Sequence, residues 1–146
     1  MALTETDRFL DLGSGRGEVV SQVFLQSQSK EARGIEILPH LHQSAVAMVD
    51  LIRQQYPLFF DQGRILKYEL GDFLQIPLGE PTVIFVNALC FGQKLLYTLG
   101  NIFNAIPTLR MVLAVRPLPS FTRLPFQEAF RLECSWDSAR CCIYSK

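Results

Sequence analysis

The apolar positions of this chain alternate between two rhythms. Phe9, Leu10 and Leu12 make a short apolar strand that runs into a glycine turn, and residues 17–28 follow with Val19, Val20, Val23 and Phe24 at helical spacing. Gly34-Ile35-Glu36-Ile37 predicts a second strand. Pro39 suits the first turn of a helix, and residues 40–55 place Leu41, Ala45, Met48, Leu51 and Ile52 on one face. Residues 64–70 predict a third strand. Residues 82–86 form an unbroken β-branched and aromatic run, the composition of a strand buried on both faces. A helix over 93–105 and a fifth strand over 109–115 continue the alternation. Pro117, Pro119 and Pro125 then break regular structure, and residues 131–136 and 140–144 read as a terminal pair of strands.

Strands that alternate with helices argue for an α/β fold, a mostly parallel central sheet with helices on both faces. A length of 146 residues predicts a single domain over 1–146. In such sheets ligands sit beyond the carboxyl ends of the strands. The functional residues are therefore expected just after strands one to four.

The segment Asp11-Leu-Gly13-Ser14-Gly15-Arg-Gly17-Glu18 follows the first strand directly. Glycines there let backbone approach a ligand and free N–H groups for bonding. A dinucleotide fingerprint has its third glycine or alanine one place later. Asp11 at the mouth of the turn would repel a pyrophosphate but suits a ligand with a positive ammonium group. S-adenosylmethionine carries an ammonium and a sulfonium. Glu36 lies 19 residues beyond Gly17, where an acidic residue commonly holds ribose hydroxyls; Ile37 follows it. Gly71-Asp72-Phe73 comes after the third strand, where a carboxylate can accept from an adenine amine and a ring can cover the base. Asn87 ends the fourth strand. Its amide both donates and accepts and suits an acceptor amine or the methionine group, and Phe91 could wall an apolar channel. His40 and His42, two apart, do not share a helical face, and no metal site is expected.

Composition narrows the class. Apolar residues make up 49%, enough for a sizeable core. Net charge is zero, without the basic excess usual in proteins that hold nucleic acid by its phosphates, so a nucleic-acid partner is not expected. The charge is uneven: residues 1–80 hold 11 acidic and 7 basic side chains, net −4, and residues 81–146 hold 3 and 7, net +4. Cys90, Cys134, Cys141 and Cys142 form no CxxC pair, which argues against a zinc ribbon and for reduced thiols. No basic-then-apolar leader opens the chain and no apolar run reaches about 20 residues. A cytoplasmic protein without a membrane partner is the expectation.

The runs FLDLGSGRGEVVSQV (9–23), GIEI (34–37), GDFL (71–74) and above all VIFVNALCFG (83–92) resemble the disruptor-of-telomeric-silencing (Dot-type) lysine methyltransferases, and Ser135-Trp136 resembles that family's late Ser-Trp pair. The similarity spans roughly residues 8–146. It implies a Rossmann-like class I methyltransferase fold with a C-terminal antiparallel strand pair. It implies S-adenosylmethionine as cofactor, S-adenosylhomocysteine as product, and cofactor contacts through Asp11, Gly13, Glu36, Asp72, Phe73 and Asn87, beside which Ser14, Gly15 and Gly17 of the turn and Ile37 after Glu36 are expected to line the cofactor. Asn87, Phe91 and Trp136 would serve the acceptor lysine of a protein substrate. Ala88 and Leu89 stand where the family has Asn and Phe. Seven residues precede the first strand, so the family's N-terminal lid is expected to be missing, and with it a nucleosomal substrate. A lysine on a non-histone protein is the expected acceptor, with a second copy or a partner chain as a candidate to complete the pocket. Methyl transfer to a small molecule, and a module that binds the cofactor without catalysis or only with a partner, are the alternatives.

Overall fold

The first apolar run forms β1 (Arg8–Leu12), and the chain passes through the glycine turn into α1 (Glu18–Gln26). The structure, a computed structural model, describes residues 3–133 and 138–146, and the chain divides after Pro81 into two units. In the first unit α1 is followed by β2 (Glu31–Glu36), α2 (Pro39–Gln55), α3 (Pro57–Asp61) and β3 (Ile65–Leu70). β1 pairs parallel with β2 and β2 parallel with β3, with Asp11 opposite Gly34 and Gly34 opposite Tyr68. Each connection is a helical crossover, as parallel pairing requires.

The buried set follows the periodicity. Phe9, Leu10 and Leu12 of β1, Val20 and Phe24 of α1, and Ala32 and Ile35 of β2 are all withdrawn from solvent. Phe24 meets the rings of Phe59 and Phe60 at centroid distances of 6.0 and 5.0 Å, so α3 packs against the last turn of α1. Three local expectations change. β2 begins at Glu31 rather than Gly34 and ends at Glu36, leaving Ile37 outside it and 60% exposed. Its start was masked by Arg33, a charge in mid-strand. Arg33 is held there by Glu69 on β3, to which its Nε donates at 2.6 Å, and by the carbonyls of Pro77 and Leu78. α2 buries Ala45 and Ile52 but leaves Met48 and Leu51 exposed. α3 begins at a proline, which is tolerated in a first helical turn.

The second unit contains β4 (Val83–Val86), α4 (Gln93–Asn104), β5 (Met111–Ala114), β6 (Phe126–Glu133) and β7 (Ser138–Ser145). β4 pairs parallel with β5; β5 pairs antiparallel with β7, and β7 with β6. Val83, Ile84 and Val86 are fully buried, as their run of β-branched residues predicts. α4 buries Leu96, Leu99 and Phe103 along one face. Phe121 stands edge-on to Phe103 and Tyr144. The terminal strand pair is antiparallel, as expected, but β6 starts at Phe126, five residues before the predicted start. A register shift between Phe126 and Glu128 interrupts its pairing. Arg131 stands directly opposite Arg140, and both are exposed. Among the described residues, no helix is long and apolar enough to cross a membrane.

Candidate functional site

In the first unit the turns after β1, β2 and β3 are tied together by hydrogen bonds. Gly13 and Ser14 both donate their N–H to the carbonyl of Ile35, at 2.9 and 3.0 Å, and Gly17 donates to Ser14. Gly13, Gly15 and Gly17 take left-handed backbone, with φ of 81°, 57° and 82°. Gly17 is the residue that caps α1, and no side chain caps that helix. A left-handed capping residue carrying a Cβ would be strained.

Glu36, the last residue of β2, is the centre of this knot. Its Oε2 accepts from Gly15 N–H at 2.7 Å and its Oε1 from Leu38 N–H at 2.8 Å. Its main-chain carbonyl accepts from Gly71 N–H at 2.9 Å. One residue thus joins the glycine turn, the start of α2 and the turn after β3. A carboxylate has about four acceptor sites, so each oxygen keeps capacity for a ligand hydroxyl.

Asp11 is 2% exposed, and its Oδ1 has no hydrogen-bond partner among the described residues. Burial, and then the negative charge of Glu36, push its carboxyl from an ordinary 3.8 up to about 7. Ser14 Oγ is a second buried oxygen without a partner. Orphaned buried acceptors are costly, and a buried carboxylate beside another carboxylate favours a positive group. After β3, Asp72 Oδ1 accepts from Leu74 N–H at 2.8 Å, and the Asp72 carbonyl accepts from Gln75 and Ile76. One carboxylate oxygen therefore shapes the turn itself. Phe73, next in the chain, is half-buried.

In the second unit Asn87 is exposed directly after β4. The loop closes as Phe91 N–H donates to Ala88, and α4 begins as Leu95 and Leu96 donate to Gly92. Arg116, after β5, donates from Nη1 to the Phe91 carbonyl at 2.5 Å and has a φ of 150°. Trp136, and Cys134 with it, lie outside the described residues.

Sequence reasoning missed three residues. Arg116 left no signal in the chain. Tyr68 of β3 and Ser21 of α1 lie under the glycine turn. The available signal was Gly34, a glycine in mid-strand, which marks a close approach. A Cβ at position 34 would come within 2.5 Å of Ser14 Oγ and 2.8 Å of the Tyr68 ring.

The family model described as histone methylation protein DOT1 matches residues 1–123. A histone-lysine N-methyltransferase, H3 lysine-79 specific, of Drosophila melanogaster is 34% identical over 109 residues, 70% of this chain and 6% of the relative. The protein of that name in Dictyostelium discoideum is 27% identical over 105 residues, 68% of this chain and again 6% of its own length. The chain thus spans a small part of these relatives. Among solved structures, an RNA methyltransferase of Salinibacter ruber in complex with S-adenosyl-L-homocysteine superposes with a TM-score of 0.67 at 20% identity, covering 98% of this chain and 82% of that one. TrmK of M. capricolum, in complex with S-adenosyl-homocysteine, gives 0.69 at 11% identity, covering 99% and 64%. At these identities the two structures establish the fold, the Rossmann-like fold of methyltransferases.

Proposed function

This chain belongs to the DOT1 histone methylation family, and from that premise we propose that it binds S-adenosylmethionine behind β1 and transfers the methyl group to a protein lysine. The observation that carries the reading is Asp11, buried, with an unpartnered Oδ1 beside a second carboxylate. That arrangement fits the cofactor's ammonium and would be hostile to a pyrophosphate. Glu36 keeps acceptor capacity for ribose hydroxyls. The second oxygen of Asp72 suits the adenine amine, and Phe73 suits the face of the base.

Bound S-adenosylmethionine supplies a methyl group on a positively charged sulfur, a leaving group that needs no acid. The protein's task lies with the acceptor. A free lysine has a pKa of about 10.4, and only its neutral amine attacks. An apolar wall lowers that pKa by desolvation; Phe91, half-buried in the loop after β4, and Trp136 are the residues for it. The exposed amide of Asn87 would accept an N–H from the amine and fix its direction, and such positioning accounts for much of the rate in a two-reactant step.

The test is label transfer from tritiated S-adenosylmethionine into a lysate, comparing the wild type with Asn87→Ala. Label in protein, recovered as methyl-lysine and reduced at least tenfold in the variant, is the expected result. Full activity in Asn87→Ala removes that residue from the scheme. Label confined to low-mass material supports a small-molecule acceptor, and S-adenosylhomocysteine binding without any transfer supports a module that needs a partner.

A further inference from the structure

Tyr68 is anchored in a way that its strand does not need. Its ring lies where side chains at two other positions would have to go. A Cβ at Gly17 would meet its Cζ and Oη at 2.5 Å, and a Cβ at Gly34 would meet its Cδ1 at 2.8 Å. Its hydroxyl donates to the carbonyl of Gly17 at 2.7 Å. That single proton is then committed, so at the 2.8 Å contact between Ser21 Oγ and Tyr68 Oη the serine is the donor. The Gly17 carbonyl also accepts from Ser21 N–H at 2.9 Å. Ser21 is 7% exposed, and burial pushes the Tyr68 hydroxyl up to about 12, so it stays a donor at any working pH.

The closed set of Tyr68, Gly17 and Ser21 acts on one peptide group, the one that leads into α1. Gly17 is in the left-handed region, and α1 has no side-chain cap. Among the described residues, the Gly17 carbonyl takes the Tyr68 hydroxyl and the helix's own bond from Ser21 N–H. Its tilt aims the uncapped N–H groups of the first helical turn and, through the Gly17–Ser14 bond, the arc that holds Gly15 against Glu36. A phenylalanine would fill the same space under the glycines; the hydroxyl is what fixes the turn.

We propose that Tyr68, with Ser21, is a positioning residue for the amino-acid end of the cofactor: it touches no ligand but holds the turn that does. This rests on the cofactor reading above. The consequence is selective. The amino-acid end faces Asp11 and the glycine turn, whereas the base is assigned to the turn after β3. Loosening the Gly17 peptide should therefore weaken ligands that possess that end and spare those that lack it.

The test compares wild type, Tyr68→Phe, Ser21→Ala and the double variant, by calorimetry well below each protein's melting temperature. The ligands are S-adenosylhomocysteine and methylthioadenosine, which keeps the nucleoside and lacks the amino-acid end. Tyr68→Phe should weaken S-adenosylhomocysteine about tenfold and methylthioadenosine less than twofold. Ser21→Ala should cost two- to threefold, and the double variant no more than Tyr68→Phe, since the two act as one unit. In the free protein, amide exchange at Gly17 and Ser21 should quicken in Tyr68→Phe, with α2 unchanged. Equal weakening of both ligands, or additive losses, would overturn the proposal in favour of general support of the fold. Unchanged exchange in Tyr68→Phe would also overturn it, whatever the wild type binds. A wild type that binds neither ligand defeats the cofactor reading instead, and the exchange data still decide whether Tyr68 orders the turn.

Discussion

Asp11 makes the first turn sensitive to pH. In the free protein its carboxyl titrates near 7 rather than 3.8, because it is buried and faces Glu36. The folded form therefore holds a proton that the unfolded chain has released between those two values. Stability of the free protein from this group is full below about pH 4 and falls as pH rises towards about 7, by up to about 1.4 kcal/mol per pH unit. Cofactor binding has the opposite sense, since an ammonium requires the ionised carboxylate. Affinity for S-adenosylhomocysteine should rise up to tenfold per unit below pH 7 and level off above it, and Asp11→Asn should flatten the profile. Calorimetry at pH 6, 7 and 8 checks this; equal affinity at 6 and 7 would contradict it. The spacing of Asp11, the three turn glycines, Glu36 and Asp72 was legible in the sequence because it follows the strand ends. The use of both Glu36 oxygens on backbone, and of Tyr68 beneath the turn, was not. The Glu36 bond from Gly15 and the Tyr68 bond to Gly17 join residues 21 and 51 positions apart, and no local pattern encodes them.

At the scale of elements, helix α1 ends without a basic residue in its last turn. Arg64, just before β3, takes that place from a distance. Its Nη2 donates to the carbonyls of Phe24 and Ser27 at 2.5 and 2.9 Å, its Nε to Ser29 at 3.0 Å, and its guanidinium carbon lies 4.5 Å from the centroid of the Phe24 ring. Three carbonyls on one planar cation should be worth about 2 kcal/mol in sum, allowing for partial exposure. Arg64→Ala is expected to lower the unfolding free energy by that amount, read as a lower urea midpoint at unchanged m. Arg64→Lys should recover less than half, because an ammonium cannot span the three acceptors. The elements themselves were largely readable: strands of four to six residues between helical stripes need only periodicity. What hid from that reading were β2's first half, where Arg33 interrupts the apolar run, and α3, which starts on a proline and shows its function only through Phe59 and Phe60 against Phe24. β6 was read five residues short because Phe126 to Phe130 mixes apolar and charged positions around a register shift.

Across the whole molecule, charge divides as the chain does. The residues up to Pro81 carry a net −4 and those after it +4, so the unit with the orphaned carboxylate is also the one whose wider field attracts a cation. The α/β class could be read from the alternation alone, because parallel pairing needs a crossover between strands and each crossover leaves its helical stripe. Strand order along an edge could not, since it depends on which backbone groups find partners. Within the second unit β6 pairs with β7, and it carries Phe126 and Phe130, 53% and 40% exposed. An eight-residue strand with such rings is a template on which a neighbouring molecule could add its own strand and seed a fibril. The facing arginines at 131 and 140 repel one another across the hairpin, and the register shift kinks the same strand. Both features make that template a poor one, at some expense to the hairpin. Replacing both arginines by valine should stiffen the hairpin yet bring on thioflavin-positive aggregates at concentrations where the wild type stays clear; a variant that stays clear would contradict this. By that account, the two like charges and the kink guard this strand against a neighbour that would extend the sheet.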